Sequence, residues 1–255
     1  MANVGKIDVQ YSKNMCKILF QHSKSNSLPL SLLNELTREF NLISENPSIN
    51  VIVLTSIGEN TFCAGASFEE LLAIENIEDG KKFFMGFANL INAMRKCPKF
   101  IIGRVQGKVV GGGVGLVAAC DYVLASEEAS IKLSELALGI GPFVIQPVVE
   151  RRIGKAAFQS LTINSEWRNP EWALQKGLYD KVLRNVEQLD LEIKTLTDRL
   201  SSSNPDAIKE LKRTFWNDAL EWDKLLETNA EISGRLVLTG HTKSFIDKFK
   251  NNVKG

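Results

Sequence analysis

Short apolar runs rich in β-branched residues alternate along the first half of the chain with segments of helical spacing. The runs at residues 50–55, 100–105 and 121–125 are typical of strands that are buried on both faces. Helical spacing follows the first of these runs, from residue 83 to residue 94. Strands that alternate with helices pair in parallel, because each helix carries the chain back across the sheet. The sequence therefore predicts an α/β fold with parallel strands.

The two ends of the chain depart from this alternation. Near the amino terminus, residues 6–11 and 17–20 predict the two strands of a hairpin. Beyond about residue 185 the pattern is wholly helical, in segments near residues 186–202, 205–217, 221–238 and 243–250. We therefore expect a core, residues 1–185, and a helical carboxy-terminal region, residues 186–255. The apolar faces of that region must be buried against the core or against a partner subunit.

Charge and residue counts exclude several classes of function. Lys and Arg number 31 and Asp and Glu number 30, so the formal net charge of +1 creates no overall field that attracts nucleic acid or an anionic membrane. His22 and His241 are the only histidines and lie far apart in the sequence. Neither a Ser-His triad nor an HExxH zinc motif can be formed from them. We expect no metal site, no nucleic-acid partner and no membrane partner.

Cysteine usage and hydropathy bear on the compartment. The four cysteines are widely spaced, with no CxxC pair, which is typical of reduced and buried thiols: Cys16, Cys63, Cys97 and Cys120. The first eight residues contain no apolar stretch like that of a secretion signal, and no apolar run approaches the roughly eighteen residues that a membrane span needs. A cytoplasmic protein is expected.

Glu135 is the best candidate for a catalytic acid or base. It lies between leucines, in residues 133–136 (Leu-Ser-Glu-Leu), and a turn rich in Gly and Pro follows at residues 139–142. Burial without a partner disfavours an ionised carboxylate and raises its pKa toward neutrality, where it can exchange protons. The alternative is a solvated Glu on a helical turn, which is the commoner situation for a Glu with leucine neighbours.

Two loops of small residues strengthen the catalytic interpretation. Residues 64–66 and 111–115 each follow a predicted strand and precede a predicted helix, so their N–H groups lie at helix amino termini. If the N–H groups of Ala66 and Gly112 point at one spot, they form an oxyanion hole for the enolate of a thioester or ketone. The alternative is two ordinary tight turns in which glycine adopts a positive φ.

Taken together, these blocks resemble the crotonase (enoyl-CoA hydratase/isomerase) superfamily across nearly the whole chain. The resemblance is carried by residues 62–66 (Phe-Cys-Ala-Gly-Ala), residues 111–113 (Gly-Gly-Gly), Cys120 with Asp121, and Glu135 before Leu-Gly-Ile. It implies a crotonase-type spiral of ββα repeats with a helical carboxy-terminal region used in trimerisation. It further implies an acyl-CoA substrate held through its thioester carbonyl, a homotrimer or a dimer of trimers, and no cofactor other than the coenzyme A thioester. By the same resemblance, Ala66 and Gly112 supply the oxyanion hole and Glu135 is the acid/base.

The chain departs from the family pattern at two positions. Hydratases with two glutamates carry the first of them where this chain has Gly115, and a glycine neither positions water nor accepts a proton. Ser67 stands where the family has Asp, which removes a charge from a helix cap. The pattern of a single remaining Glu resembles that of Δ3,Δ2-enoyl-CoA isomerases. Residues 133–136 and 151–154 (Arg-Arg-Ile-Gly) resemble dehydratases of polyketide β-branching, which act on 3-hydroxy-3-methylglutaryl thioesters.

Further residues are expected to hold the substrate or its coenzyme A. The resemblance indicates the loop with Lys24 and Ser27 for the adenine and phosphates, and Lys243 or Lys248 with Phe245 for the coenzyme A of a neighbouring subunit. Ala64 and Phe143 belong to matching blocks and are also expected at the substrate. Lys108, just before the second glycine loop, is a candidate partner for a second carboxylate in a methylglutaconyl or glutaryl type of acyl group.

These expectations favour a hydratase or dehydratase that acts on an acyl-CoA with one Glu. The first alternative is an enoyl-CoA isomerase, in which Glu135 moves a proton between two carbons. The second alternative is a scaffold of crotonase type without activity, because the loss of a Glu at Gly115 could be a step in that direction.

Overall fold

The structure is a computed structural model that describes residues 5–245. Its strands are short after the opening hairpin: β1 Lys6–Ser12, β2 Met15–Gln21, β3 Val51–Ser56, β4 Thr61–Cys63, β5 Phe100–Val105, β6 Lys108–Val110, β7 Tyr122–Ser126, β8 Ile131–Lys132 and β9 Lys181–Leu183. The predicted hairpin is confirmed, since β1 and β2 pair antiparallel around a turn in which Lys13 has a φ of 51°.

Helices fill the remaining sequence. They are α1 Leu30–Ser44, α2 Phe68–Leu72, α3 Ile77–Lys96, α4 Gly112–Ala119, α5 Gln146–Ile153, α6 Lys155–Asn164, α7 Pro170–Gln175, α8 Val186–Ser201, α9 Pro205–Phe215 and α10 Trp222–Val237. Two 3₁₀ turns, Leu136–Leu138 and Asn217–Ala219, interrupt the connections, and residues 240–245 are again helical. The helical pattern predicted beyond residue 185 is confirmed up to residue 245.

The strands form two sheets, and every pairing except that of β1 with β2 is parallel. The large sheet has the order β1-β2-β3-β5-β7-β9, and the small sheet has the order β4-β6-β8. Each successive pair, β3 with β4, β5 with β6 and β7 with β8, places one strand in each sheet before the chain enters a helix. This repetition makes a spiral of ββα units and confirms the predicted α/β class.

The small sheet positions three loops. Its strands are parallel, so their carboxyl ends lie at one edge, where α/β folds bind ligands. Ala64 follows β4, Gly111 follows β6, and Ser134 and Glu135 lie just past β8. Helix α4 runs from this edge through the core and is buried along almost its whole length. An apolar helix in that position holds its first turn rigidly, because burial on all sides leaves it no room to move.

The carboxy-terminal helices pack on the core. Leu189 and Ile193 of α8 form a hydrophobic cluster with one face of the large sheet: Val51, Val53, Ile102 and Leu124. Helix α10 crosses α3 at two glycines so closely that a Cβ on Gly80 would lie 2.8 Å from Gly234 Cα. These contacts show that α8 and α10 cover the core. The division at residue 185 stays a prediction.

The structure also bears on the expectations about thiols, metals and membranes. All four cysteines are buried and free. In residues 5–245 no cluster of three or more His, Cys, Asp or Glu side chains is placed to hold a metal ion. None of the helices in the same range is long and apolar enough to cross a membrane. The cytoplasmic location stays a prediction.

Candidate active site

A cavity of about 460 Å³ opens at the carboxyl ends of β4, β6 and β8. Most of its wall is apolar and comes from α2, α3 and the segment before α5: Phe68, Leu71, Phe84, Phe87, Ile140, Val144 and Ile145. The polar side chains in the described part of the wall are few: Lys132, Ser134, Glu135 and Ser233. An apolar pocket with a few convergent polar groups is typical of a site for a small molecule.

Glu135 lies at the start of the 3₁₀ turn Leu136–Leu138, directly after β8. Its backbone C=O accepts hydrogen bonds from the N–H groups of Leu138 and Ile140, both at 3.1 Å, and Gly139 closes the turn with a φ of 83°. The residue as a whole is half-buried, but its Oε2 is fully buried and has no hydrogen-bond partner in the described chain. A buried polar atom without a partner in a cavity is positioned for a ligand.

Burial raises the pKa of Glu135 from 4.5 to about 7, against the smaller lowering effect of the backbone N–H groups of Glu135 and Ser134. Desolvation is the main cause because the ionised form loses its hydration in the apolar cavity. A carboxylate with a pKa near 7 is present in both protonation states at neutral pH. It can therefore both accept and donate a proton, as the sequence predicts for an acid/base.

The two loops of small residues lie against each other beside this carboxylate. Gly65 has a φ of 87°, and a Cβ on it would lie 3.5 Å from Gly112 N. Ala66 is held by its neighbours, because Leu28 N–H donates to Gly65 O at 2.7 Å and Ser67 N–H donates to Leu28 O at 3.1 Å. Within residues 5–245, the N–H groups of Ala66 and Gly112 donate to no protein acceptor. Both residues line the cavity, so both N–H groups are available to a ligand there.

Because Gly111 has no side chain, it leaves room for the carboxylate of Glu135. Its φ of 53° and ψ of −124° form a backbone conformation that only glycine adopts easily. A Cβ on Gly111 would lie 2.9 Å from Glu135 Oε1, which is closer than side-chain carbons approach other atoms. Glycine at this position therefore permits both the turn into α4 and the approach of the carboxylate.

Comparison with known proteins shows the family. A sequence profile of the family described as enoyl-CoA hydratase/isomerase matches residues 10–251. The chain belongs to this family. It is 28% identical over 241 residues to an enoyl-CoA hydratase, AKT6-1, of Alternaria alternata, which covers 93% of this chain and 78% of that relative. It is 31% identical over 178 residues to the bacillaene synthase dehydratase PksH of Bacillus subtilis (strain 168), which covers 68% and 67% of the two chains.

The fold is shared with a solved enoyl-CoA hydratase from Bacillus halodurans. The TM-score is 0.90 at 20% identity, over 95% of this chain and 99% of that chain. The crotonase-type fold and the family predicted from the motifs are thereby confirmed. The two relatives are named as a hydratase and a dehydratase, and the family description adds isomerase, so the reaction of this member is not decided by its relatives.

The packing around Gly115 leaves no room for a side chain at this position. A Cβ on Gly115 would lie 2.4 Å from Ile145 Cγ2 and 2.8 Å from Ile145 Cβ. Ile145 therefore fills the space that a side chain at position 115 would need. A Glu at position 115 requires a smaller residue at position 145 as well, because the side chain of Ile145 is itself buried and cannot move aside freely.

Ser67 retains the capping role that its departure from the family pattern puts in doubt. Its Oγ accepts a hydrogen bond from Glu70 N–H at 3.3 Å at the start of α2. Glu69 and Glu70 lie in the first turn of that helix, where negative charge is favourable. Glu70 Oε2 also accepts from Leu30 N–H at 2.7 Å, which ties α2 to α1. Glu69 and Glu70 thus supply, within the first turn, the negative charge that is absent at Ser67.

The structure places only some of the predicted ligand residues at the cavity. Ala64 and Phe245 line it. Lys24 is exposed, with its Nζ 3.8 Å from Glu69 Oε1, and Lys248 lies outside the described residues. Lys243 is exposed on the helical residues 240–245. The roles of these residues in binding coenzyme A stay predictions.

Three other predicted residues do not line the cavity. The hydroxyl of Ser27 is 2.9 Å from His22 Nδ1 in a buried pair. Phe143 packs against Gly141, and its C=O accepts a hydrogen bond from Asn229 Nδ2 at 2.8 Å. The Nζ of Lys108 lies 5.5 Å from the centre of the exposed Trp167 ring. The structure gives Ser27 and Phe143 local contacts within the fold, and their contact with substrate stays a prediction.

Sequence reasoning missed Lys132 and Ile145. Lys132 lines the cavity from β8, and the signal for it was present in the alternation of residues 131–134, in which Ile131 and Leu133 are buried. Nothing in the sequence pairs Ile145 with Gly115, because the contact joins α4 to a distant turn. Residues 151–154 contribute to the fold: Arg152 pairs with Asp180, and the Arg151 guanidinium lies 4.5 Å from the centre of the Trp216 ring.

Proposed function

We propose that this protein is a hydratase or dehydratase of an acyl-CoA thioester and that Glu135 is its single acid/base. The observation that carries the proposal is the buried Oε2 of Glu135, which has no hydrogen-bond partner in the described chain and lies in the same cavity as Ala66 and Gly112. The names of the two relatives support the reaction class. The proposal invokes no cofactor other than the coenzyme A thioester that is the substrate.

The thioester carbonyl is held by the N–H groups of Ala66 and Gly112. Both N–H groups are without protein acceptors among the described residues, and the Gly112 N–H also lies at the amino terminus of α4. Two N–H donors and the positive end of a helix stabilise an enolate oxygen more than a neutral carbonyl, because the negative charge develops only during the reaction. Small residues at positions 64–66 and 111–113 let the backbone approach the substrate closely.

In the dehydration direction, ionised Glu135 removes the proton from C2 and an enolate forms in the oxyanion hole. Protonated Glu135 then donates this proton to the hydroxyl on C3, which leaves as water while the C2–C3 double bond forms. Hydration is the reverse: Glu135 takes a proton from the water that attacks C3 and returns it to C2. The pKa of about 7 suits both directions, since the same group must be an acid in one step and a base in the other.

An isomerase is the second candidate, and the packing of Ile145 against Gly115 favours it. No second carboxylate lines the described wall to hold a water, and Ile145 makes the wall apolar where one would stand. Glu135 would then remove a proton from C2 or C4 and return it to the other carbon, with the dienolate held at Ala66 and Gly112. A scaffold without activity is a third possibility, which the buried and unpartnered carboxylate disfavours.

One assay separates these candidates. Wild-type protein is incubated with crotonyl-CoA, 3-methylglutaconyl-CoA or a 3-enoyl-CoA, and the absorbance of the conjugated thioester is followed. Loss of the signal from either of the first two indicates hydration, and its appearance from the third indicates isomerisation. We expect Glu135→Gln to lower turnover by roughly 10²- to 10⁴-fold, the usual contribution of an acid/base. Glu128→Gln, which changes an exposed Glu, is the matched control and keeps full activity.

Turnover that survives Glu135→Gln at the wild-type rate would remove Glu135 from the mechanism. Turnover of the 3-enoyl-CoA alone would replace the hydratase by the isomerase. A wild type that transforms none of the three thioesters would favour the scaffold.

We also propose a homotrimer or a dimer of trimers. Exposed apolar side chains on and around α9 and α10 support an interface there: Leu211, Phe215, Leu220 and Leu225. Light scattering on the purified protein gives the mass directly, and a monomer of 28.4 kDa would contradict this part of the proposal.

A further inference from the structure

Lys132 is a cationic residue that lines the cavity. It ends β8, three residues before Glu135, and side chains alternate along this segment: Ile131 and Leu133 face the core, whereas Lys132 and Ser134 line the cavity. Its backbone C=O accepts a hydrogen bond from Gly111 N–H at 2.9 Å. The side chain therefore starts next to the turn that presents Gly112.

This charge has no counter-ion among the residues that the structure describes. Of the described residues that line the cavity, Lys132 is the only cation, and it forms no ion pair within residues 5–245. The contact recorded for its Nζ is with the face of Trp167, 5.9 Å from the ring centre. A cation–π contact with an exposed ring is weaker than a charge-assisted hydrogen bond to a carboxylate. Lys132 is thus free to exchange the ring for an anionic group of a ligand.

We infer that Lys132 binds a second carboxylate in the acyl group of the substrate, and that the site therefore prefers thioesters of dicarboxylic acids. This inference rests on the proposed function, because it takes the thioester carbonyl to lie at Ala66 and Gly112. Lys132 acts here as a specificity-determining residue and takes no part in the proton transfer.

Coenzyme A offers another source of anionic groups, in its phosphates. The position of Lys132 favours the acyl group, since the residue is in the strand that leads to Glu135 and its backbone is bonded to Gly111. The pantetheine arm separates the phosphates from the thioester, whereas the carboxylate of a short dicarboxylic acyl group stays close to the reacting carbons. Thioesters of pantetheine, which lack the phosphates, separate the two sources.

Lys108, the residue that the sequence alone offers as a partner for a second carboxylate, provides the matched comparison. It lies on β6, the neighbouring strand, and its Nζ is 5.5 Å from the centre of the same Trp167 ring. It is exposed and does not line the cavity. Removing its charge changes the field near Trp167 as Lys132→Met does, without changing the cavity wall.

The test measures the binding of glutaryl-pantetheine and butyryl-pantetheine by calorimetry, with Lys132→Met, Lys132→Arg and Lys108→Met beside the wild type. Neither acyl group contains a C=C bond to hydrate or a hydroxyl to eliminate, so binding is measured without turnover. We expect the wild type to prefer glutaryl-pantetheine and Lys132→Met to weaken its binding by about 10- to 100-fold, as for the loss of a hydrogen bond to a charged group. Butyryl-pantetheine should change by less than about three-fold. Lys132→Arg should retain the preference, and Lys108→Met should leave both affinities unchanged.

Several outcomes overturn the inference. They are a wild type that binds neither ligand or shows no preference between them, an equal loss for both ligands in Lys132→Met, and an equal effect of Lys108→Met. Glutaryl-CoA and butyryl-CoA are measured in the same way. If Lys132→Met weakens the binding of both of these and leaves the two pantetheine thioesters unchanged, Lys132 is assigned to the phosphates. The proposed function is tested separately by turnover: a wild type that binds glutaryl-pantetheine through Lys132 but transforms no thioester would contradict the function alone.

Discussion

Two acidic side chains, Asp121 and Glu135, lie in the interior of this protein under opposite conditions. Asp121, between α4 and β7, is nearly enclosed, and every contact it makes satisfies its charge. Its Oδ2 is 2.5 Å from Lys212 Nζ and accepts from Ile101 N–H at 2.8 Å, and its Oδ1 accepts from Trp216 Nε1 at 3.2 Å. The side chain of Lys212 is 3% exposed, so this ion pair is a buried one that joins α9 to the core.

Glu135 has none of these partners. No cation contributes to the shift of its pKa, and its Oε2 is buried with no partner among the described residues. The difference shows that burial of a carboxylate does not by itself indicate a site. Asp121 uses its partners to hold the fold together, whereas Glu135 leaves an oxygen and an adjoining cavity for a ligand.

Asp121→Asn should have the largest effect on stability. It leaves Lys212 buried without a counter-charge, and breaking a buried pair in this way destabilises by about 3–5 kcal/mol. The free energy of unfolding is measured by urea denaturation. Glu192→Gln is the control, because Glu192 is 37% exposed and pairs at the surface with Lys181, whose side chain is 46% exposed. The free energy of unfolding of this control variant should fall by about 1 kcal/mol or less.

Adding Lys212→Met to Asp121→Asn should restore much of this stability, since no unpaired charge then remains in the interior. Where it is folded, Asp121→Asn should keep the activity that Glu135→Gln abolishes. A loss of turnover in folded Asp121→Asn would contradict the division between a structural and a functional carboxylate.

The elements that could be predicted from sequence are those with their own local pattern. Apolar runs, helical spacing and small residues mark the strands β1, β2, β3, β5 and β7 of the large sheet, the helix α3 and the two loops at Ala66 and Gly112. The last strand of that sheet, β9, has only three residues and was not predicted. The small sheet was not predicted. Its strands β4, β6 and β8 have only two or three residues each, too few to show a period.

Contacts between distant segments account for the remaining differences. Lys108 and Lys132 lie on the same face of the small sheet, and the pairing of Val110 with Lys132 places Lys132 nearer the carboxyl edge, where the cavity opens. The same holds for Ile145 and Gly115, and for Lys212 and Asp121, which are 91 residues apart. Such pairs follow from packing in three dimensions, so a single sequence carries no signal for them.

Gly111→Ala should have the next largest effect, on the functional carboxylate. The new Cβ would meet Glu135 Oε1 at 2.9 Å and force the carboxylate away from its position. We expect kcat to fall by roughly 100-fold with little change in KM, because misplacing a catalytic group weakens the transition state more than substrate binding. Gly58→Ala is the control: Gly58 also has a positive φ, 85°, but its Cβ would meet nothing within 4 Å. Equal losses of kcat in the two variants would indicate backbone strain as the cause.

Through Glu135, the stability of the wild type should depend on pH in a direction opposite to that produced by an ordinary paired carboxylate. The pKa of Glu135 is about 7 in the folded protein against 4.5 for the unfolded chain, so the folded state binds the proton more tightly. Wild-type stability therefore falls as pH rises from 4.5 to about 7.

A neutral Gln removes this loss. Glu135→Gln should be more stable than wild type at pH 8 by about 2 kcal/mol, a value reduced from the full shift because the residue is only half-buried. The gain should vanish near pH 4, where Glu135 is protonated in both states. Thermal unfolding between these two pH values measures it, with Glu128→Gln as the variant that should show no such trend. A constant difference between Glu135→Gln and wild type at all pH values would mean that Glu135 is solvated.

The smallest effect, on stability, is expected at Gly115, the position at which this chain has no second carboxylate. Gly115→Ala gains about 1 kcal/mol of helix propensity in α4 but places a Cβ 2.4 Å from Ile145 Cγ2, and overpacking of this kind costs about 1–3 kcal/mol. We expect a net destabilisation of about 1 kcal/mol, measured by urea denaturation. In an Ile145→Gly background the same change should stabilise, because both atoms that a Cβ at position 115 would meet too closely, Ile145 Cγ2 at 2.4 Å and Cβ at 2.8 Å, are then absent and the helix propensity remains. If the destabilisation persists in that background, Ile145 is not the residue that excludes a side chain at position 115. The absence of a second carboxylate beside Glu135 would then need another explanation.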